Sequence, residues 1–186
     1  MELFNKLKDY EASGQLIRVG LVGAGQMGEG LISQMELMHG MRAFAVADVQ
    51  EGRAGQALKT ANIEDRDIVE TSDVATASQA LADGKRVATT RADILSQIEG
   101  LDIVVEATGI PEIGAQIALE AILNRKHVLQ MNVETDATVG YMLRRMARSA
   151  GVVYTLTAGD EPGATMELFD FAVSLGFDVI AAGKGK

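Results

Sequence analysis

Short runs of branched apolar residues alternate with stretches of helical periodicity between Gln15 and Ala158. This alternation is typical of parallel strands joined by crossover helices. The runs are almost entirely apolar, as expected for strands that are covered by helices on both faces. We therefore predict an α/β fold built on a doubly wound parallel sheet. The predicted strands are Ile17–Val22, Ala43–Ala47, Arg86–Thr89, Asp102–Ala107, Val128–Met131 and Val152–Leu156.

Several segments between these strands carry apolar residues at helical spacing. Met27, Leu31, Met35 and Met38 recur at steps of four and three, with Ile32 alongside, which predicts one buried helix face packed on the sheet. The same spacing occurs in two later sets, which are Ile117, Ala118, Ala121 and Ile122, and Val139, Met142, Leu143 and Met146.

The remaining helices are predicted from weaker patterns. Two helices, at about Arg53–Ala61 and Val74–Asp83, are expected on either side of the charged turn Glu64–Asp67. Residues 1–14 carry apolar side chains at helical spacing and predict a short helix on the outside of the domain.

Composition narrows the class of protein. The chain has 186 residues, 47% of them hydrophobic, which is enough for one domain and part of a second. A net charge of −9 argues against binding to nucleic acid or to anionic membranes, so any phosphate must be held locally. Cysteine is absent, and no leader peptide or apolar run of about 20 residues is present, so we expect a cytoplasmic protein.

A glycine-rich turn follows the first predicted strand. Gly23, Gly25 and Gly28 stand between that strand and the first helical stripe, in the pattern of a Rossmann dinucleotide-binding fold. Gly23 would allow the tight turn, Gly25 would let the backbone approach a pyrophosphate, and Gly28 would let the helix pack closely on the strand. The backbone N–H groups of Gln26 and Met27, at the start of the predicted helix, would face the phosphates.

An acidic residue ends the next strand. Asp48 follows Ala47 at the spacing where a carboxylate would accept hydrogen bonds from the adenosine ribose, which favours NAD. Arg53 is close enough in sequence to neutralise a 2′-phosphate if Asp48 turns aside, so NADP remains an alternative. The structural alternative is that the glycines form only a tight turn and Asp48 only caps the segment that follows it.

Polar residues also follow two later strands. Because ligands lie beyond the carboxyl ends of strands in doubly wound sheets, we expect Thr108 and Gly109 to flank the cofactor. The same reasoning selects Asn132 and Glu134, and ordinary helix capping is the alternative for Thr108 and Glu134. No metal site is predicted from the residues, since His39 and His127 stand alone and thiolates are absent.

The sequence resembles the homoserine-dehydrogenase-like oxidoreductases, and in particular their branch similar to 1-deoxy-D-xylulose 5-phosphate reductoisomerase, an enzyme of isoprenoid biosynthesis. The resemblance spans most of the chain. It rests on Arg18–Gly28 (RVGLVGAGQMG), Asp102–Gly109 (DIVVEATG), Lys126–Thr135 (KHVLQMNVET), Ala158–Pro162 (AGDEP) and Ala182–Lys186 (AGKGK).

This resemblance implies a Rossmann domain, residues 1–158, followed by the beginning of a substrate and dimerisation domain, residues 159–186. The family implies a nicotinamide cofactor, NADP in the reductoisomerase-like branch, together with a divalent cation and a homodimer of the whole protein. Family members continue well beyond the position that matches Lys186, so we expect a fragment whose catalytic activity in isolation is doubtful.

The resemblance also suggests catalytic residues. Glu161 would act as a metal ligand or general base, and Lys184 and Lys186 would bind phosphate or polarise a carbonyl group. An ordinary helix opening at Asp160–Pro162 and a solvated tail are the alternatives. In the helix that follows, Met166, Phe169 and Val173 are expected to form a buried face.

Two classes of function follow. The favoured hypothesis is an oxidoreductase that transfers hydride between a nicotinamide cofactor and a small carbonyl or alcohol substrate, possibly the reductoisomerase of a sugar phosphate. Homoserine dehydrogenase is the alternative among enzymes. The rival class is a non-catalytic NAD(P)-binding redox sensor, because a fold does not fix a function.

Overall fold

The structure, a computed structural model, describes residues 2–157 and 161–183, without the side chains of residues 161 and 162. The chain divides into two compact units, residues 1–155 and residues 156–186.

A seven-stranded sheet forms the centre of the fold. Its order is β3-β4-β2-β1-β5-β6-β7, and every pair with an assigned register is parallel. On one side of β1 lie β2, β4 and β3, and on the other side lie β5, β6 and β7, so the direction of the crossovers reverses between β1 and β5. The strands are β1 (Ile17–Val22), β2 (Met41–Ala47), β3 (Ile68–Glu70), β4 (Arg86–Thr89), β5 (Ile103–Glu106), β6 (His127–Gln130) and β7 (Tyr154–Leu156).

Helices cover both faces of the sheet. Ile32 and Leu58, from α2 and α3, are fully buried in one apolar cluster, whereas Leu81, Ile122 and Leu143, from α4, α5 and α7, belong to another. The helices are α1 (Glu2–Ala12), α2 (Gln26–Leu37), α3 (Arg53–Thr60), α4 (Val74–Ala82), α5 (Pro111–Leu123), α6 (Val133–Thr135), α7 (Tyr141–Ala150) and, in the second unit, α8 (Glu161–Ser174). This architecture confirms the predicted doubly wound α/β fold.

All six predicted strands are present: Ile17–Val22 and Arg86–Thr89 have the predicted bounds, and the ends of the other four are displaced by at most two residues. A seventh strand, β3, was not predicted, because Ile68–Glu70 has only two apolar residues and lies in a polar stretch. It pairs in parallel with β4 at the edge of the sheet. The turn that precedes it is a 3₁₀ segment, Asp65–Asp67, within the charged stretch that the sequence indicated.

Two of the predicted buried helix faces are partly wrong. In α2 the core side chains are Ile32 and Met35, but Met27 is 64% exposed because it lies in the first turn of the helix. In α7 Leu143 is buried, whereas Met142 and Met146 are exposed. A π-helical segment, Asp136–Gly140, precedes α7 and shifts the phase of the apolar stripe, so a 3.6-residue period could not place it. The predicted face of α5 is confirmed, with Ile117, Ala118, Ala121 and Ile122 all buried.

The second unit contains one described helix, α8. Its side chains at Met166, Phe169 and Val173 are exposed, contrary to the predicted buried face. The physical reason is that the described residues of this unit contain no second helix against which α8 could pack. A buried face on α8 would need a packing partner, and the described residues of this unit do not provide one.

Candidate functional site

The turn after β1 is shaped by three glycines in three different ways. Gly23 has a φ of +99°, and a Cβ there would lie 2.7 Å from the carbonyl oxygen of Ala107. Gly28 lies in the first turn of α2, where a Cβ would lie only 2.0 Å from the carbonyl oxygen of Gly23. A Cβ at Gly25 would meet nothing closer than Arg53 Nη2, at 3.9 Å. Two glycines are therefore needed for folding, and the third leaves open space in front of the backbone.

The open space at Gly25 lies where α2 begins. Helix geometry leaves the first-turn N–H groups of α2 without intrahelical carbonyl partners, and Gln26 and Met27 are both exposed there. These amides carry the positive end of the helix dipole. The turn can therefore receive an anionic group against the backbone, which is the property predicted for a pyrophosphate site.

Asp48 fixes the glycine turn from the end of β2. Its Oδ2 accepts a hydrogen bond from the Ala24 N–H at 2.8 Å, and its Oδ1 accepts one from the Gln50 N–H at 2.9 Å. Each carboxylate oxygen keeps a second lone pair, so the side chain can still accept hydrogen bonds from a ligand. Asp48 is only partly buried, which leaves it within reach of such a ligand.

Arg53 holds the same turn from α3. Its Nε donates to the carbonyl oxygen of Ala24 at 3.0 Å, and its Nη1 donates to Gln50 Oε1 at 3.0 Å. Its Nη2 is the atom nearest to the open space at Gly25. The guanidinium group thus places a positive charge beside the turn in a protein whose net charge is −9.

A cavity of about 310 Å³ lies beyond the ends of β2, β3 and β4. Its lining is rich in hydroxyl and carboxylate groups and includes Gln50, Glu51, Glu70, Thr71, Thr89 and Thr90. The cavity lies on the β2 side of the glycine turn, next to the segment that Asp48 and Arg53 hold.

On the other side of the turn, β5 ends in a fully buried carboxylate. Glu106 is 0% exposed, and its Oε1 accepts a hydrogen bond from the Thr108 N–H at 2.7 Å and a short one from the Thr108 hydroxyl. Its Oε2 accepts a hydrogen bond from Gln130 Nε2, on β6, at 2.6 Å. The conformation of the Thr108 loop is therefore set by a carboxyl group from inside the sheet.

The neighbouring strand contributes Asn132. Its Oδ1 caps α6 by accepting from the Thr135 N–H at 3.2 Å, while its Nδ2 is buried and has no hydrogen-bond partner among the described residues. Gly114 lets α5 approach these groups, because a Cβ there would lie 2.5 Å from Thr135 Oγ1 and 2.8 Å from Glu106 Oε2. The end of β6 therefore joins the polar cluster around Glu106.

A buried tyrosine lies near this cluster. Tyr154 on β7 is 5% exposed. Burial raises the pKa of its phenol well above the ordinary value, and the carboxylate of Asp136 raises this pKa further. The neutral phenol is therefore the form that the fold maintains.

The structure brings most of the predicted cofactor residues to one edge of the sheet. Gly23, Gly25, Gln26, Met27 and Gly28 form the turn after β1. Asp48 and Arg53 contact that turn from the β2 side, Thr108 and Gly109 follow β5, and Asn132 follows β6. Their roles in binding a cofactor stay predictions, which the proposal below takes up.

The predicted catalytic residues are not placed by the structure. Lys184 and Lys186 lie outside the described residues, and so does the side chain of Glu161, although α8 begins there. Asp160 is also outside the description. Glu134 lies in the first turn of α6, which Asn132 caps. Its role in binding a cofactor stays a prediction.

Sequence reasoning missed Glu106, Gln130 and Gly114. The available signal was a lone acidic residue at the end of the apolar run Ile103–Glu106, inside a strand predicted to be covered on both faces. A buried carboxylate in such a place requires donors, and the chain supplies them from the next loop and the next strand.

The described residues contain neither a cluster of metal ligands nor a helix that could span a membrane. No group of three or more His, Asp or Glu side chains in ranges 2–157 and 161–183 is arranged to hold a metal ion. None of the helices in the same ranges has the length and apolar character needed to cross a membrane.

Two protein families match the chain, one after the other along the sequence. The family described as homoserine dehydrogenase, NAD binding domain, matches residues 23–156, and the family described as oxidoreductase DRL, catalytic domain, matches residues 159–186. No curated protein sequence matches the chain significantly.

Several solved structures share the fold. A probable dehydrogenase from Thermotoga maritima has a TM-score of 0.63 at 16% identity, over 86% of this chain and 41% of its own. Scyllo-inositol dehydrogenase from Lactobacillus casei, with bound NAD(H) and scyllo-inositol, has a TM-score of 0.60 at 15% identity, over 87% and 42%. An Agrobacterium radiobacter oxidoreductase in complex with NAD+, L-tartaric acid and magnesium has a TM-score of 0.63 at 13% identity, over 86% and 40%. The chain thus spans about two fifths of the length of these proteins.

Proposed function

Because the chain belongs to the homoserine dehydrogenase NAD-binding domain family, we propose that it binds a nicotinamide dinucleotide across the carboxyl edge of its sheet. As part of a longer oxidoreductase, it presents this cofactor to a small carbonyl or alcohol substrate. The bound cofactor supplies hydride transfer, and the protein supplies orientation and electrostatics.

The observation that carries this proposal is the open backbone at Gly25. The strand, the glycine turn and the helix are built so that a Cβ is excluded by the protein itself at Gly23 and Gly28 but not at Gly25. A glycine that packing does not require is explained by the close approach of a ligand. The diphosphate of a dinucleotide fits this position, with the first-turn amides of α2 as donors and Arg53 as the nearest cation.

The two halves of the cofactor are assigned by the reversal of strand order. Asp48 ends β2, so the adenosine ribose would lie on that side and donate its hydroxyl hydrogens to the carboxylate. The adenine would occupy the cavity beyond β2, β3 and β4. The nicotinamide half would then extend across β5 and β6, toward Thr108, Gly109 and Asn132.

For cofactor preference, we expect NADH to bind more tightly than NADPH. The Asp48 carboxylate is fixed at the tip of β2 by two backbone amides, and Glu51 lines the adjacent cavity, so both carboxylates would repel a 2′-phosphate. The alternative is that Arg53 binds this phosphate, as the reductoisomerase-like resemblance would imply.

A titration of the chain with NADH and with NADPH, followed by cofactor fluorescence, tests both points. Arg53→Ala should weaken both cofactors to a similar degree if the arginine faces the diphosphate. A loss confined to NADPH would assign Arg53 to the 2′-phosphate and overturn the preference for NAD. Failure of the wild-type chain to bind either cofactor would contradict the dinucleotide proposal itself.

For the substrate, we propose a small anionic carbonyl compound of the sugar-phosphate class. Support comes from the match of residues 159–186 to the oxidoreductase DRL catalytic domain, which includes GDEP, residues 159–162, and AGKGK, residues 182–186. Glu161, Lys184 and Lys186 would contribute a base or metal ligand and the phosphate-binding charges, with a divalent cation bound in the whole protein, which we expect to be a homodimer.

Homoserine dehydrogenase activity is the second candidate, because the larger family match, residues 23–156, is to that enzyme's cofactor domain. Assays of the whole protein with homoserine and with 1-deoxy-D-xylulose 5-phosphate, following NAD(P)H absorbance, distinguish the two. Turnover of homoserine alone would contradict the sugar-phosphate proposal. Tight cofactor binding without turnover of either compound would favour a redox sensor.

A further inference from the structure

We propose that Glu106 is a positioning residue for the nicotinamide half of the cofactor, acting through the Thr108 loop. This inference rests on the proposed function, because it assumes that a dinucleotide occupies the carboxyl edge of the sheet. It concerns a residue that makes no contact with the cofactor itself, and its basis is the network of hydrogen bonds at the end of β5.

The first step is the free-energy cost of burying the Glu106 side chain. Glu106 is fully buried inside a parallel sheet, where an apolar side chain would be expected to stabilise the fold better than a carboxyl group. Its neighbours on the same strand, Val104 and Val105, are apolar and buried as well. A buried polar group that stability alone does not favour is more often found at functional sites.

The second step is what the carboxylate holds. One oxygen of Glu106 accepts hydrogen bonds from both the N–H and the hydroxyl of Thr108, and that hydroxyl accepts a bond from the Ile110 N–H at 3.3 Å. The other oxygen is fixed by Gln130 from β6. The loop after β5 is thus tied to two strands through one side chain.

The third step is where this loop lies. A Cβ at Gly23 would lie 2.7 Å from the Ala107 carbonyl oxygen and 3.1 Å from the Thr108 nitrogen, so the loop lies directly against the glycine turn. Gly109 follows with a φ of +71° and no atom within 4 Å of its Cβ position, so that part of the loop faces open space. The loop therefore lies next to the diphosphate turn on the β5 side, where the second half of the cofactor would pass.

The fourth step is the space reserved for the network. A Cβ at Gly114 would lie 2.8 Å from Glu106 Oε2 and 2.9 Å from Gln130 Nε2. The chain thus places a glycine inside α5, at a cost in helix propensity, where the polar pair needs room. Helix, loop and two strands are all arranged around Glu106.

The test compares two ligands on the same chain. ADP contains the adenosine and the diphosphate but lacks the nicotinamide riboside half of NADH. Glu106→Leu removes the acceptor, so the Thr108 loop loses its fixed position. We expect the affinity for NADH to fall about tenfold, while the affinity for ADP stays within about twofold.

Glu106→Gln serves as the conservative variant. Its amide oxygen can still accept from Thr108, and its NH2 group can donate to Gln130 Oε1, which has no partner among the described residues, once the Gln130 amide rotates. We expect this variant to bind NADH within about threefold of the wild-type affinity. Rescue by glutamine would show that the hydrogen bonds to the loop, rather than the volume of the side chain, determine NADH binding.

Other outcomes would overturn the inference. If Glu106→Leu lowers the affinities for NADH and ADP equally, or lowers neither, Glu106 has only a structural role. If Glu106→Leu does not fold, Gln130→Leu decides, because it removes the amide that donates to Glu106 Oε2 without changing a residue placed at the cofactor, and it should again weaken NADH but not ADP. A wild-type chain that binds neither ligand would instead show that the proposed function is wrong.

Discussion

Gly28 provides the sharpest test of how α2 packs on β1. A Cβ at this position would lie 2.0 Å from the Gly23 carbonyl oxygen and 3.2 Å from Leu21 Cδ2, whereas ordinary contacts begin at 3.4 Å. In Gly28→Ala, α2 and the turn must therefore separate by about 1.4 Å. Both obstructing groups are buried or part of the backbone, so the strain cannot be relieved by a change of rotamer.

Overpacking of this kind typically costs about 1–3 kcal/mol, and the gain in helix propensity offsets up to about 1 kcal/mol of it. We expect Gly28→Ala to lower the free energy of unfolding by about 1–2 kcal/mol in urea denaturation. Gly30→Ala is the matched control, since Gly30 lies in the same helix, is exposed and has no atom within 4 Å of its Cβ position. The Gly30→Ala variant should be more stable than the wild-type chain by about 0.5–1 kcal/mol. Equal stability of Gly28→Ala and the wild-type chain would refute the packing described here.

Two further predictions concern the buried polar groups. The pKa of Tyr154 is raised in the folded chain, so above pH ~10 the unfolded chain loses the phenol proton first and the free energy of unfolding should fall, by up to ~1.4 kcal/mol per pH unit. Tyr154→Phe should remove this loss, while the exposed control Tyr141→Phe should keep it, and identical alkaline profiles of all three proteins would contradict the assignment. Gly114→Ala should destabilise the chain by about 1–3 kcal/mol in thermal unfolding, whereas Gly163→Ala, at an open position in α8, should not. Wild-type stability of Gly114→Ala would show that the polar cluster around Glu106 can accommodate a methyl group.

The parts of the fold that could be predicted are those with strong local signals. The turn at Gly23–Gly28 was identified because three glycines stand between an apolar strand and a helical stripe, and steric contacts at Gly23 and Gly28 account for two of them. Asp48 was selected from its place at the end of β2, but its hydrogen bonds to Ala24 and Gln50 could not be foreseen, because they depend on how two loops meet.

The parts that could not be predicted depend on tertiary contacts. The strand Ile68–Glu70 is too short to show a pattern, and only pairing with β4 defines it. The role of Glu106 depends on Gln130, which is 24 residues away in the chain and beside it in the sheet. The face of α7 that is buried, with Leu143 and not Met142, follows from how the helix packs, and the π-helical segment Asp136–Gly140 before it has no clear sequence signature.

The measurement that tests the central claim most directly is the affinity of Gly25→Ala for NADH. A Cβ at this position meets only Arg53 Nη2, at 3.9 Å, so the variant should fold, with a loss of at most about 1 kcal/mol from the less favourable N-cap. The new methyl group would nevertheless fill the space in which we place the diphosphate. We predict that NADH affinity falls roughly a hundredfold in Gly25→Ala and is unchanged in Gly30→Ala. Wild-type affinity in a folded Gly25→Ala would show that the dinucleotide does not bind at this turn.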